Sequence, residues 1–274
     1  MTINFVSVSA VSNREQLTEI AKIYQQECFN FPLVIGYQVS NKSINQGTQS
    51  PLQPKFVELG DIDKATRDYG FITAVHYYTK DNTTILADLE KIATLDIEPS
   101  LLQFNTLPPS LETLRRTKEM GFRTIFKVAV SNKQSPKGGY AVWKGECVQD
   151  VSSGQVEPLM AQVNDRRDVI DYVMFDPSHG TNLELDLDEN RLAVRFGRGI
   201  VANEKLSHLG LVYAGGIKPT NVRTLTKLLN HFFPNRVSID IESGVRINNK
   251  LNIDLVRDYL LNCGFDGASK NGKI

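Results

Sequence analysis

Short apolar runs alternate with amphipathic stretches along the whole chain. Residues 3–9 (INFVSVS) read as a strand. Ser12 or Asn13 then caps a helical stretch with Leu17, Ile20, Ala21 and Tyr24 on one face. Residues 32–39 and 70–77 are the second and third strands. Between them, 40–60 is rich in Asn, Gln, Ser and Pro and reads as a long loop, with Asp61 opening a short helix. A helix over 83–93 gathers Ile85, Leu86, Leu89 and Ile92. Residues 100–105 form a weaker fourth strand, and Pro108 and Pro109 precede a helix over 110–120 that stops at Gly121. The fifth strand is 122–130, followed by a polar insertion over 131–150 and a helix near 154–165. The sixth strand is 169–175. Residues 177–208 fit either a hairpin or a loop plus helix. Strands seven and eight are 209–213 and 236–241. The intervening helix runs from near Pro219 to His231, and a last helix spans about 252–262.

Eight strands, each followed by a helix-length segment, predict a parallel sheet. Eight such units in 274 residues match a single-domain (β/α)8 TIM barrel. A doubly wound open sheet is the alternative, weakened because no G-x-G-x-x-G follows the first strand. The segments near 40–60, 131–150 and 177–208 follow strands two, five and six. All three are therefore long βα loops on the face where barrel enzymes keep their sites. They either cover a pocket in part or are tolerated surface insertions.

Composition narrows the function classes. Hydrophobic residues make up 41% and charged residues 23%, as in ordinary globular proteins. Lys plus Arg and Asp plus Glu each count 31, which argues against a nucleic-acid binder and leaves room for a local basic pocket. Cys28, Cys147 and Cys263 are odd in number and far apart, so neither a disulfide framework nor a zinc site is expected, and a reducing cytoplasmic setting fits. MTINFVSVSAVSN has no positive region before its apolar run and does not read as a signal peptide. No apolar run reaches the length of a membrane helix.

Candidate chemistry gathers at strand ends. Ala214-Gly215-Gly216 follows strand seven and Glu242-Ser243-Gly244 follows strand eight. Glycine lets backbone N–H groups approach a ligand, and barrels frequently bind phosphate between these two loops. Gly215, Gly216, Ser243 and Gly244 are therefore the candidate phosphate cradle; the plain alternative is two tight turns. Asp176 leaves strand six in MFDPSHGT, placed for general-acid work, although Asp-Pro-Ser-His is also a good type I turn. His76 and His179 sit at strand ends and suit an acid or a base, or a structural hydrogen bond. His208 and His231 fall elsewhere and read as surface residues. Lys127, inside strand five, needs an acidic partner or an anionic substrate if it points inward. No spacing suits a metal, and neither a P-loop nor a G-x-S-x-G elbow is present, so no metal or cofactor is expected.

The segment LVYAGGIKPTNV, followed by VSIDIESGVR and a final helix, resembles phosphoribosylanthranilate isomerase. Ala214, Gly215, Gly216, Pro219, Asn221 and Val222 match that family's AGG-x-x-P-x-N-V. Asp240, Ser243, Gly244 and Val245 match its D-V-S-S-G-V-E. Asp176 falls at the L-L-D-S aspartate, and Gly180-Thr181 is similar to the G-G-T-G that follows. Leu102-Gln103-Phe104 is similar to L-Q-L-H, and Ser40 to Ser43 to its P-K-S turn. The similarity is strong over 209–246 and weak elsewhere. It implies a barrel, a phosphorylated small-molecule substrate, and Asp176 as the acid that opens a ribosyl ring in an Amadori-type isomerisation, a tryptophan-biosynthesis step if the substrate is unchanged. The departures are specific. The family's general-base cysteine, in K-I-C-G-I-T, becomes Ser9, with Ser7 at the lysine. Ile44 and Asn45 stand where an arginine would hold the anthranilate carboxylate, and Asn105 replaces the L-Q-L-H histidine. A serine hydroxyl is a poor base without an activating partner. His76, then His179, are the substitute bases. Lys42 or Arg246 are candidates for the carboxylate, and Asn105, His179 and Lys127 are candidate substrate contacts. Three readings stand: this isomerase chemistry, another reaction on a phosphorylated sugar, or a phosphate-metabolite binder that has lost its base.

Overall fold

A computed structural model describes residues 2–46, 60–79, 81–94, 101–105, 109–128, 130–134, 140–144, 147–150, 156–178 and 184–264. Its barrel strands are β1 (Val6–Ser9), β2 (Leu33–Ser40), β3 (Ile72–Tyr78), β4 (Leu101–Phe104) and β5 (Arg123–Lys127). After three strands of an insertion come β9 (Tyr172–Phe175), β10 (Gly210–Ala214) and β11 (Val237–Ile241). The strand order is β1-β11-β10-β9-β5-β4-β3-β2, with every neighbouring pair parallel. Val6 faces both Leu33 and Ile239, so β1 joins the two ends of the sheet. That closure excludes the open sheet and establishes a (β/α)8 barrel.

Helices α1 (Arg14–Gln26), α2 (Asn41–Gln46), α3 (Gly60–Asp68), α4 (Ile85–Ala93) and α5 (Leu111–Glu119) lie between the early strands. They are followed by α6 (Glu157–Asn164), α7 (Leu192–Ala202), α8 (Val222–Phe232) and α9 (Ile253–Asn262). Local chemistry sets several ends. Asn13, not Ser12, caps α1 by accepting the Gln16 N–H, and Leu17, Ile20 and Ala21 are buried on the inner face. Ser110 caps α5 through the Thr113 N–H, and Gly121 at φ +89° turns the chain into β5.

Two apolar clusters divide the core. One fills the gap between strands and helices. The other lies inside the barrel and contains Phe5, Val34, Ala74, Leu101, Ile125, Tyr172 and Val212. Strand side chains alternate, so the residues two and four positions further on also face inward. Most of the described residues at those later positions are polar, Met174 and Ala214 being apolar, and the barrel has an apolar floor under a largely polar mouth.

The long insertions carry more structure than their composition suggests. The segment after β2 opens with α2 rather than a loop. Ser40 accepts the Ser43 N–H in the manner of an N-cap, and buried Asp88 of α4 accepts Asn41 and Asn45 amides at 2.7 Å each and the Tyr77 hydroxyl at 2.5 Å. The remainder of that loop, 47–59, lies outside the described residues. The insertion after β5 folds as an antiparallel meander of β6 (Val130–Gln134), β7 (Tyr140–Lys144) and β8 (Cys147–Asp150). Within 177–208 the loop-plus-helix alternative holds, and the helix is α7. No described helix is long and apolar enough to cross a membrane.

Candidate active site

The inward position near the C-terminal end of each barrel strand supplies a ring of side chains. In chain order these are Ser9, Gln38, His76, Gln103, Lys127, Asp176, Ala214 and Asp240. All but Ala214 are polar. From Gln38 to Asp240 they line a cavity of about 430 Å³, with Ser9 beneath it; that volume suits a small metabolite. Period-two alternation makes the ring readable: Ala74-His76, Leu101-Gln103, Ile125-Lys127 and Met174-Asp176 each step from floor to mouth.

Lys127 and Asp176 form the charged centre. The Lys127 Nζ donates to Asp176 Oδ2 at 2.5 Å, with both side chains about seven-eighths buried. Asp176 Oδ1 accepts the Ser178 N–H at 2.9 Å and the Ser178 hydroxyl at 2.8 Å. Asp176 therefore holds the turn through Oδ1, the alternative weighed for it, and meets the Lys127 cation through Oδ2. An inward lysine has found the acidic partner it requires.

A second group lies across β1 and β11. Ser9 Oγ donates to Asp240 Oδ1 at 2.5 Å and sits 3.4 Å from Ser7 Oγ. A Cβ at Gly36 would fall 2.5 Å from Ser9 Oγ and 3.0 Å from His76 Nε2, so glycine here is what brings those two side chains together. His76 is 2% exposed and lines the cavity. His179 lies outside the described residues. His208 and His231 are exposed, at the surface as expected.

Beside this group lie the two loops of the candidate phosphate cradle. Gly215 and Gly216 take φ of +100° and +60°, a region glycine enters without penalty. A Cβ on Gly215 would come within 2.9 Å of Asp176 Oδ1, so this loop abuts the charged centre. Asn221 sets its shape by donating to the Gly216 carbonyl at 2.9 Å and accepting the Lys218 N–H at 2.8 Å. Gly215, Gly216 and Ser243 line the cavity. Gly244 instead packs its α-carbon against the Ile217 carbonyl with no room for a side chain, locking the loop after β11 onto the loop after β10.

Asn105 lines the cavity and accepts from Gln103 Nε2 at 2.7 Å. Lys42 is exposed on α2 and does not line the cavity. Arg246 is also absent from the lining. Its guanidinium donates to the Ala10 and Asn249 carbonyls, and burial lowers its pKa against the opposing charge of Glu242. Among the described lining residues, Lys127 is the one Lys or Arg. No group of described residues has the composition of a metal site. Gln38, Gln103, Tyr78, Ser178, Asp240 and Glu242 also line the cavity. They had not been singled out as site residues, although strand alternation points to Gln38, Gln103 and Asp240.

No family model and no curated protein matches the sequence. Solved structures do match. Phosphoribosylanthranilate isomerase of Pyrococcus furiosus is 14% identical over 95% of this chain and 98% of that one, with a TM-score of 0.54. The Thermotoga maritima enzyme is 14% identical with the same coverages and a TM-score of 0.56. A further isomerase structure, 14% identical at a TM-score of 0.53, holds reduced 1-(o-carboxyphenylamino)-1-deoxyribulose 5-phosphate. At these identities the likeness establishes a shared barrel fold, and a shared fold does not fix a reaction.

Proposed function

We propose that the chain is an aldose–ketose isomerase acting on an N-substituted phosphoribosylamine, by an Amadori-type rearrangement. The observation that carries this is the juxtaposition of a glycine-lined loop pair with a buried Lys127–Asp176 pair across one small cavity. Such a substrate has a phosphate at one end and a ring oxygen and glycosidic carbon a few ångströms away. The Gly215-Gly216 loop and Ser243 hold the phosphate through backbone N–H groups. The Lys127–Asp176 pair gives a proton to the ring oxygen as the C1–O bond breaks. A base removes the proton from C2 to give the enolamine, and protonation at C1 with loss of the C2 hydroxyl proton yields the ketose. Asp240, bonded to Ser9, and His76 stand on the far side for that second step. Ser9 itself orients Asp240, which answers the loss of a cysteine base. That a solved barrel of this fold holds a phosphorylated aminodeoxyribulose supports the reading.

The test is turnover of phosphoribosylanthranilate and of its carboxyl-free aniline analogue by the wild type and Asp176→Asn. Turnover of either that disappears in the variant supports the isomerase. Absence of turnover with both, together with no rise in Tm from ribulose 5-phosphate, overturns it. A second reading, a different reaction on a sugar phosphate, is favoured by Lys127. Irreversible attachment of a ketose phosphate to Lys127 under borohydride would support an imine-forming reaction.

A further inference from the structure

The cavity has two ends. The candidate phosphate loops follow β10 and β11, and in the closed strand order β3 and β4 stand diametrically opposite them. A substrate anchored at its phosphate and crossing the Lys127–Asp176 pair therefore lays its nitrogen substituent against β3 and β4. Gln103 faces that end. It is 4% exposed, its Nε2 is committed to Asn105 Oδ1, and its Oε1 has no hydrogen-bond partner. A buried acceptor left unpaired is costly unless a ligand donates to it. Lys127, on the strand next to β4, is already engaged by Asp176. A carboxylate, which only accepts, would meet an acceptor at Gln103 with no uncommitted Lys or Arg among the described lining residues.

On the reading that the substrate is an N-substituted phosphoribosylamine, we propose that Gln103 determines specificity for its substituent, and that this substituent presents a neutral hydrogen-bond donor of the carboxamide type rather than a carboxylate. Asn105 acts as a positioning residue: by holding Nε2 it turns Oε1 toward the ligand.

The experiment is calorimetric titration of the intact chain with three probes. These are ribulose 5-phosphate and two 1-arylamino-1-deoxyribulose 5-phosphates, one bearing an ortho-carboxamide and the other an ortho-carboxylate. Wild type binds the carboxamide about tenfold or more tighter than the carboxylate, as expected for one buried hydrogen bond gained or left unmade. Gln103→Met approximates the shape and removes the acceptor; it brings the carboxamide and carboxylate affinities level. Equal affinities in the wild type, or tighter binding of the carboxylate, overturn the inference. A preference that survives in Gln103→Met overturns the assignment to Gln103. If none of the three probes binds, the isomerase reading fails, and the inference falls with it.

Discussion

Lys127 and Asp176 take a large share of the polar mouth's charge out of water and return it as one ion pair. Removing one partner leaves the other buried and unmatched, at a cost of about 3 kcal/mol. Asp176→Asn keeps an oxygen for the Ser178 turn but loses the charge opposite Lys127. It is expected to fold with a lowered Tm and to lose turnover. Lys127→Met behaves alike, and combining the two recovers part of the lost stability in urea titration; fully additive losses would show that the pair is not coupled. Gly36 is as decisive in a different way. A methyl there meets the Ser9 hydroxyl, His76 and, at 3.1 Å, the Ser9 α-carbon, which has no rotamer to yield. Gly36→Ala should destabilise by about 1–3 kcal/mol and abolish activity; wild-type stability and turnover in that variant would contradict the site geometry. Sequence reasoning reached Asp176 and His76 because each stands at a strand end with titratable chemistry, and Lys127 because a cation inside a strand needs a partner if it points inward. It passed over Gln103 and Asp240 because an amide, or an aspartate within a motif, carries no spacing signal. Their significance rests on an unpaired oxygen and on a 2.5 Å bond to Ser9, which only three dimensions reveal.

Among the elements, the β–α alternation was legible because barrel strands are continuous apolar runs and each helix has a one-sided apolar face. The insertions were harder. A six-residue helix such as α2 has no periodicity to detect; it stands because Asp88, remote in sequence, collects Asn41, Asn45 and Tyr77. Asp88→Ala leaves those donors facing a void and is expected to cost about 2–3 kcal/mol by urea denaturation, against near-neutrality if α2 is only loosely attached. The three strands after β5 occupy a segment of mixed polarity that reads equally well as a loop. The loops after β10 and β11 were readable from their glycines, but not the reason for Gly244: it spaces one loop from the other and does not line the cavity. Gly244→Ala should force the loops apart and weaken ribulose 5-phosphate binding by about tenfold or more, measured by calorimetry. Unchanged affinity would show that the loops do not need this contact to bind the ligand.

The whole barrel closes through β1, which contributes Ser9 and, one inward position earlier, Ser7. Its packing also governs the response to pH. Burial raises the pKa of Tyr37, Tyr213 and Tyr259 above the ordinary phenol value of 10.0, and that of Cys263 above the thiol value of 9.0. Above those ordinary values the unfolded chain has released protons that the folded chain retains, so stability falls as pH rises. Tm is expected to hold up to about pH 9 and to decline beyond it, with tyrosinate absorbance from the buried rings appearing together with unfolding. Tyrosinate that forms before unfolding would contradict this burial. The native chain should also show Cys28 reacting with an alkylating reagent while Cys263 stays protected.

The claim that the polar mouth is an isomerase site is tested most directly by proton exchange. A stable 1-anilino-1-deoxyribulose 5-phosphate is incubated with the protein in D2O and followed by proton NMR. An aldose–ketose isomerase reaches the enolamine from the product side, and one of the two C1 hydrogens is replaced by deuterium. The account predicts wash-in at that single position with the wild type and none with the double variant Asp240→Asn, His76→Gln, which lacks both groups placed for the carbon-bound proton. No exchange by the wild type under conditions where the ligand binds, or undiminished exchange by the variant, would contradict it.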